Sequence, residues 1–300
     1  MRVFVTGATG FIGTAIVKEL LAAGHQVTGL ARSETSAQWL TAAGAQVHRG
    51  DIEDIDSLHR GAAAADGVIH AAFNHDFSKF QQNCDNDWRA IEALGSALAG
   101  SERPLVITSG TALLTPGYPV TEQEPLPVNY SNPRMASELA AAAVAATGVR
   151  VSVVRLPPSV HGAGDHGFVP MLIALAREKG EAAFVADSAN RWPAVHRVDA
   201  ARLFRLVLEQ GAQRANYHGN AEEGVAFRDI AGAIGRHLNL PVVSKTPEQA
   251  AGYFGWFAHF AAIDNPTSSQ QTRDLLDWHP QQPGLLDDLD NAGYFSGPLA

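Results

Sequence analysis

The sequence predicts an α/β fold, a doubly wound parallel sheet with a smaller C-terminal lobe, and three observations carry that prediction. Short apolar runs rich in valine and isoleucine alternate with longer alanine- and leucine-rich segments, as βαβ units around a buried parallel sheet require. Gly24, Gly44 and Gly148 each follow a helical pattern and precede a strand, where a left-handed C-terminal cap is wanted. A glycine-rich turn, Thr6-Gly7-Ala8-Thr9-Gly10-Phe11-Ile12-Gly13, joins the first strand to the first helix.

Taken in order, strands are expected at 2–6, 26–30, 45–47, 67–71, 105–108 and 149–155, with helices between them near 11–23, 34–43, 54–61, 85–99 and 133–147. Residues 156–164 read as a loop. A helix near 168–178 and strands near 182–185 and 194–198 follow, then a helix at 199–209, a strand at 215–218, and helices near 227–238, 246–261 and 268–276. Residues 1–157, with returns near 194–220, form the expected dinucleotide-binding domain. Residues 158–193 and 221–300 form the expected substrate-binding lobe.

Composition narrows the function classes. Three hundred residues, 46% hydrophobic, suffice for one large α/β domain and an appended lobe. A net charge of -9 without any Lys/Arg run argues against nucleic acid or an anionic membrane as partner and for a small-molecule substrate. The single cysteine, Cys84, cannot form an internal disulfide, and no apolar run approaches the ~20 residues of a membrane span. Met1-Arg2-Val3-Phe4-Val5 runs straight into the glycine turn, so it reads as a strand and not as a leader. An unprocessed, soluble, cytoplasmic protein is expected.

The glycine turn supplies the first functional expectation. Between strand and helix it presents bare N–H groups and the positive end of the helix dipole, a combination suited to a pyrophosphate. Gly7, Gly10 and Gly13 have the spacing of this Rossmann-type signature, so Gly7, Thr9, Gly10, Phe11, Ile12 and Gly13 are candidate cofactor contacts. An acid at the end of the second strand would bind the adenosine ribose of NAD. The chain instead has Arg32 and Ser33 there, which suit the 2′-phosphate of NADP, so NADP(H) is expected over NAD(H). Asp51 and Ile52 follow the third strand near the adenine, and Ala71, Ala72 and Phe73 end the fourth against the cofactor.

Together with Gly50-Asp51, His70-Ala71-Ala72, Thr108-Ser109-Gly110-Thr111, the run from Arg155 through Pro157 and Pro158 to Gly162, the run from Val195 through Asp199 to Ala201, and Leu275-Leu276-Asp277-Trp278-His279-Pro280, the turn makes nearly the whole chain resemble a known group. It resembles the extended or atypical short-chain dehydrogenases/reductases, also called the NAD-dependent epimerase/dehydratase family. The resemblance implies that the loop after the sixth strand lies beside the nicotinamide, a role carried to Pro157, Pro158, Ser159 and Val160. Thr108 and Arg134 join the expected cofactor contacts, Asp199 is expected to be structural, and a homodimer through exposed helices is implied.

The family's chemistry uses a tyrosine and a lysine four residues apart, plus a serine from the end of the fifth strand. The lysine lowers the tyrosine's pKa and binds the nicotinamide ribose, so the phenol exchanges a proton with the reacting oxygen. Here the matching stretch is Tyr130-Ser131-Asn132-Pro133-Arg134, which gives Y-x-x-x-R in place of Y-x-x-x-K. Asn132-Pro133 reads either as a cap that starts the helix and leaves Tyr130 outside it, or as part of a first turn that begins at Tyr130. Thr111 is the nearer substitute for the family's serine, and Ser109 is the second candidate.

Twelve histidines and one cysteine show no metal-ligand spacing, so no metal is expected. His75, His161 and His166 fall near the cofactor and are the alternative acid/base groups. Phe254, Trp256, Phe257 and Phe260 are expected first as core of the smaller lobe, with one or two lining an apolar pocket; with Phe168, Val169 and Met171 they favour an apolar substrate over a nucleotide sugar. Three readings stand: an NADP(H)-dependent oxidoreductase for a small carbonyl or alcohol, an epimerase or dehydratase on a sugar-like substrate, and a non-catalytic NADP(H) sensor.

Overall fold

The computed structural model describes residues 1–114, 117–127, 132–185, 189–210, 216–291 and 293–296. The first half alternates strand and helix: β1 (Arg2–Thr6), α1 (Phe11–Ala22), β2 (Gln26–Ala31), α2 (Glu34–Ala42), β3 (Gln46–Arg49), α3 (Ile55–Ala63), β4 (Gly67–His70), α4 (Phe80–Leu98), β5 (Pro104–Gly110), α5 (Ala136–Ala146) and β6 (Arg150–Leu156). The expected helix caps are present. Gly24, Gly44 and Gly148 have φ of +84°, +88° and +92°, the left-handed region that L side chains avoid.

The second half comprises β7 (Ser159–His161), α6 (Phe168–Lys179), β8 (Ala182–Val185), β9 (Arg191–His196), α7 (Arg197–Gln210), β10 (Asn216–His218), β11 (Glu222–Ala226), α8 (Phe227–Leu238) and β12 (Val242–Lys245). It ends with α9 (Pro247–Phe254), α10 (Ala258–Ala262), α11 (Gln270–Leu276) and α12 (Leu285–Asn291).

Seven parallel strands form the main sheet in the order β10-β6-β5-β4-β1-β2-β3. The period-two alternation of strands explains how one sheet serves two helical layers. Val3, Val5, Ile69 and Val106 face the layer that contains Ile16, Leu20 and Phe204. Phe4, Val68, Leu105 and Ile107 face the layer that contains Leu58, Ile91, Leu94 and Val144. Each of these apolar side chains contributes roughly 1.5–3 kcal/mol by leaving water. The order places the ends of β1, β4 and β5 side by side, and that is where the site forms.

Several boundaries differ from the sequence expectation. Residues 159–161 are not loop: β7 pairs in parallel with β9, and with β11 they make a separate three-stranded sheet. Three residues cannot show a period, so their pairing was illegible locally. The strand expected at 194–198 is β9, which leaves the main sheet, and Val198 already belongs to α7. Helix α4 begins at Phe80, ahead of the expected 85. The helix expected over 246–261 is broken after α9 by Gly255, with φ +57°, and a short 3-10 turn precedes α10. The short elements β11, β12 and α12 were not anticipated.

A second core fills the smaller lobe. Trp192, Phe227, Phe254 and Phe257 pack there with Val169, Ile173 and Ile230. Asp199 fixes the segment between α11 and α12: its carboxylate accepts from the Gln281 and Gln282 N–H groups at 3.0 and 2.9 Å. Its carbonyl receives the buried Trp278 indole at 3.1 Å.

Candidate active site

The glycine turn is a cradle of bare backbone. Gly7 has φ +66°, and a Cβ there would lie 2.7 Å from the Ala71 carbonyl and the Ala72 nitrogen. A Cβ on Gly13 would lie 1.9 Å from the Gly7 oxygen. Helix α1 is capped by Gly10, which offers no side-chain oxygen to the first N–H groups. Those groups and the dipole end are left for an anion, so the residues present fit a dinucleotide pyrophosphate.

At the outer corner β2 and β3 end together. Arg32 has 83% of its side chain exposed and lies 3.6 Å from the Asp51 carboxylate. Ser33 caps α2 by accepting from the Ser36 N–H at 3.1 Å. Thr9 donates to the Ser36 hydroxyl at 3.2 Å. Thr9, Arg32, Ser33 and Asp51 therefore meet, with Ser36, missed in the sequence, between them; its signal was the cap-to-third-residue spacing from Ser33. Ile52 packs into the layer beneath.

The inner corner is built by β4 and β5. Ala71 donates its N–H to the Thr6 carbonyl at 3.3 Å, and Ala72 donates to the Thr6 hydroxyl at 3.4 Å, so the chain leaves β4 beside the glycine turn. Phe73 follows, and the Arg134 guanidinium lies over its ring, 4.0 Å from the centroid. Arg134 also donates to the Thr108 carbonyl at 3.2 Å, to Asp87 at 3.2 Å and to the Ser137 hydroxyl. Thr108 itself donates to the His70 carbonyl at 3.0 Å.

The two candidate hydroxyls are both engaged. Ser109 donates to Glu138 at 2.7 Å, within a buried ion pair to Arg155. Thr111 is fully buried and donates to Asn265 Oδ1 at 2.8 Å, while the Asn265 amide donates back to the Thr111 carbonyl at 3.1 Å. Tyr130 lies outside the described residues. The helix question is answered by Asn132: it is non-helical, with φ -92° and ψ 110°, and its side chain accepts from the Arg134 N–H at 3.0 Å. Asn132 is thus the cap of a short 3-10 turn over Pro133–Met135, as in the first of the two expected alternatives.

Pro157 and Pro158 lead into β7, where Ser159 is buried and Val160 pairs with Val195. The following loop folds toward the turn, with His166 edge-on to Phe11 at 5.7 Å. His161 is buried against Asp288 at 2.8 Å, so it is a structural histidine. His75 sits edge-on to Phe73 at 5.2 Å. Desolvation by its neighbours, then the charges of Arg134 and His166, lowers the His75 pKa from its ordinary value although the residue is exposed at the surface. Burial pushes the Cys84 thiol up to about 11, which leaves it unreactive at neutral pH.

Comparison with known proteins decides the family: residues 3–219 match the model of the NAD dependent epimerase/dehydratase family. The chain belongs to that family. It is 50% identical, over 98% of its length and 100% of the other, to an uncharacterized Schizosaccharomyces pombe protein. It is 33% identical, over 60% of this chain and 56% of the other, to the 4-hydroxy-2-methyl-3-oxo-4-farnesyl-3,4-dihydroquinoline-1-oxide ketoreductase of Stigmatella aurantiaca. A 2-alkyl-3-oxoalkanoate reductase of Stenotrophomonas maltophilia is 28% identical over 82% of this chain and 78% of that one. Among solved structures, a dTDP-glucose 4,6-dehydratase of Streptomyces venezuelae with NAD bound matches with a TM-score of 0.78, at 22% identity, over 99% of this chain and 97% of that one. The family is nicotinamide-dinucleotide-dependent, and its members similar to this chain include oxidoreductases.

Within this epimerase/dehydratase fold, the residue that sequence reasoning missed most plainly is Asp87. It is 2% exposed on α4 and accepts from His70, Arg134 and Ser137. Asn83 and Asp87 share a face with the apolar stripe at Ala90, Ile91 and Leu94, and polar residues in register with a buried stripe were the available signal. Among the described residues no group of three His, Cys, Asp or Glu side chains is placed to hold a metal, and no helix is long and apolar enough to cross a membrane.

Proposed function

We propose that the chain is an NADP(H)-dependent oxidoreductase that reduces a carbonyl, or oxidises a secondary alcohol, of a small and partly apolar molecule. The observation that carries this reading is the aromatic wall around Arg134. Its guanidinium covers Phe73, Phe73 meets Phe80 and His75, and Phe77 packs at a tilt on Trp256 of the smaller lobe, 4.8 Å between centroids. Trp256 is 55% exposed, so this ring contact lies at the surface. Rings of this kind suit an apolar substrate; a sugar with many hydroxyls would need polar partners.

In this reading Gly7 and residues 9–13 hold the pyrophosphate, Arg32 and Ser33 the 2′-phosphate, and Asp51 and Ile52 the adenosine. Ala71, Ala72, Phe73, Thr108 and Pro157 to Val160 flank the nicotinamide. The dinucleotide, when bound, supplies or accepts the hydride. Tyr130 exchanges the proton with the reacting oxygen, and Arg134 orients the ribose. Thr111 is the better of the two hydroxyls for holding that oxygen. It donates to a neutral amide, whereas Ser109 donates to an ion-paired carboxylate, a stronger charge-assisted bond.

Purified protein mixed with NADPH and a panel of aryl and alkyl ketones is expected to oxidise NADPH with at least one of them. Absence of turnover across the panel, with NAD(H) retained by the protein, would favour the epimerase or dehydratase reading. The sensor reading draws on the engagement of both candidate hydroxyls. It predicts NADPH binding with no turnover.

A further inference from the structure

Four buried side chains run from the glycine turn to Arg134 without a break. Thr6, the residue before Gly7, shares a hydrogen bond of 2.7 Å with His70 Nδ1. His70 Nε2 meets Asp87 Oδ1 at 2.9 Å. Asp87 Oδ2 receives Arg134 Nη1 at 3.2 Å and also the Ser137 hydroxyl, which in turn accepts from Arg134. Thr6, His70, Asp87 and Ser137 are all 2% exposed or less, so water reaches this run only from the Arg134 end, whose side chain is 18% exposed.

We infer that Asp87 is a positioning residue that aims Arg134 into the site and couples it to the dinucleotide turn through His70 and Thr6. The inference rests on the role given to Arg134 above. Three physical points support it. A guanidinium on a long flexible stem needs fixed acceptors to hold one direction, and here they are the Asp87 carboxylate and the Thr108 carbonyl. A buried carboxylate is stable only when paired, and Asp87 has partners on both oxygens. Burial pushes its carboxyl up, yet the His70 bond and the His70 and Arg134 charges outweigh that and hold it below the ordinary carboxylate range.

Arginine in place of the family's lysine fits this arrangement. A planar fork can reach Asp87 with one arm and Thr108 with the other, while its face stays on Phe73. A lysine ammonium is a point charge and cannot hold all three contacts in one orientation.

The test is a double-variant cycle on the full-length protein with Asp87→Asn, Arg134→Met and both together. It reads kcat with a ketone substrate, NADPH Kd by calorimetry, and thermal midpoint. Asp87→Asn and Arg134→Met are each expected to lower kcat by about tenfold or more, with NADPH Kd changed less than about threefold for Asp87→Asn. The double variant should be no slower than the slower single, because one residue acts through the other. Losses that multiply in the double variant, or a normal kcat in Asp87→Asn beside an impaired Arg134→Met, overturn the inference alone. A normal kcat in Arg134→Met overturns it together with the role of Arg134. If Asp87→Asn does not fold, Ser137→Ala removes the hydroxyl bridging the pair. It is then expected to lower kcat severalfold at unchanged NADPH Kd, and an unchanged kcat overturns the inference.

Discussion

Ser109 donates its hydroxyl to Glu138 at 2.7 Å, and the same carboxylate receives two nitrogens of Arg155 at 2.9 and 2.8 Å. All three side chains are buried. Ser109→Ala is therefore expected to leave turnover within about twofold and to cost about 1–3 kcal/mol of stability, read by denaturant unfolding. Glu138→Gln strands Arg155 and should cost about 3–5 kcal/mol. A loss of turnover in Ser109→Ala larger than in Thr111→Ala would reverse the assignment of the two hydroxyls.

Gly13→Ala probes the cradle. Its Cβ would fall 1.9 Å from the Gly7 carbonyl oxygen, which belongs to backbone and cannot swing aside. NADPH Kd by calorimetry should rise at least about tenfold, ~1.4 kcal/mol. Wild-type affinity in this variant would show that the turn does not hold the cofactor.

Arg32 addresses the cofactor choice. With most of its side chain exposed beside Asp51, it is free to meet a phosphate. Arg32→Ala is expected to weaken NADPH by about 10–100-fold, the size of one or two charge-assisted bonds, and to leave NADH within about twofold. An equal effect on both dinucleotides would remove the basis for NADP(H).

Burial pushes the Asp165 carboxyl up to about 6, against the lowering pull of hydrogen bonds from the Gly167 N–H and the Tyr294 hydroxyl. The folded state thus binds this proton more tightly than the unfolded chain, whose value is near 3.8. The stability it contributes is complete below about pH 4 and is lost as pH rises through about 6. The stability of wild type relative to Asp165→Asn should fall by about 1–3 kcal/mol between those limits, measured by unfolding at each pH. A constant difference would contradict the shift.

The dinucleotide half was legible because its signals are local and repeated. Gly24, Gly44 and Gly148 mark three helix ends by themselves, and Val3, Phe4 and Val5 carry the two-sided burial of β1 in their order. The smaller sheet was not, since Ser159–His161 becomes a strand only when His196 and its neighbours lie beside it. The site divides in the same way. Gly7 and Gly13 stand out by their spacing and Arg32 by its place after β2, whereas the contacts of Asp87 come from three partners distant in sequence. Whether Ser109 faced the substrate or Glu138 depended on a contact across 29 residues that no local pattern encodes.

Net hydride transfer to an apolar ketone is the step on which the proposed activity stands. NADPH carrying deuterium at the transferable position of the nicotinamide, incubated with the protein and an aryl ketone, should yield alcohol with one deuterium on the carbinol carbon, seen by mass spectrometry. Unlabelled ketone recovered throughout the panel, with the deuterium still on the nicotinamide, would contradict it.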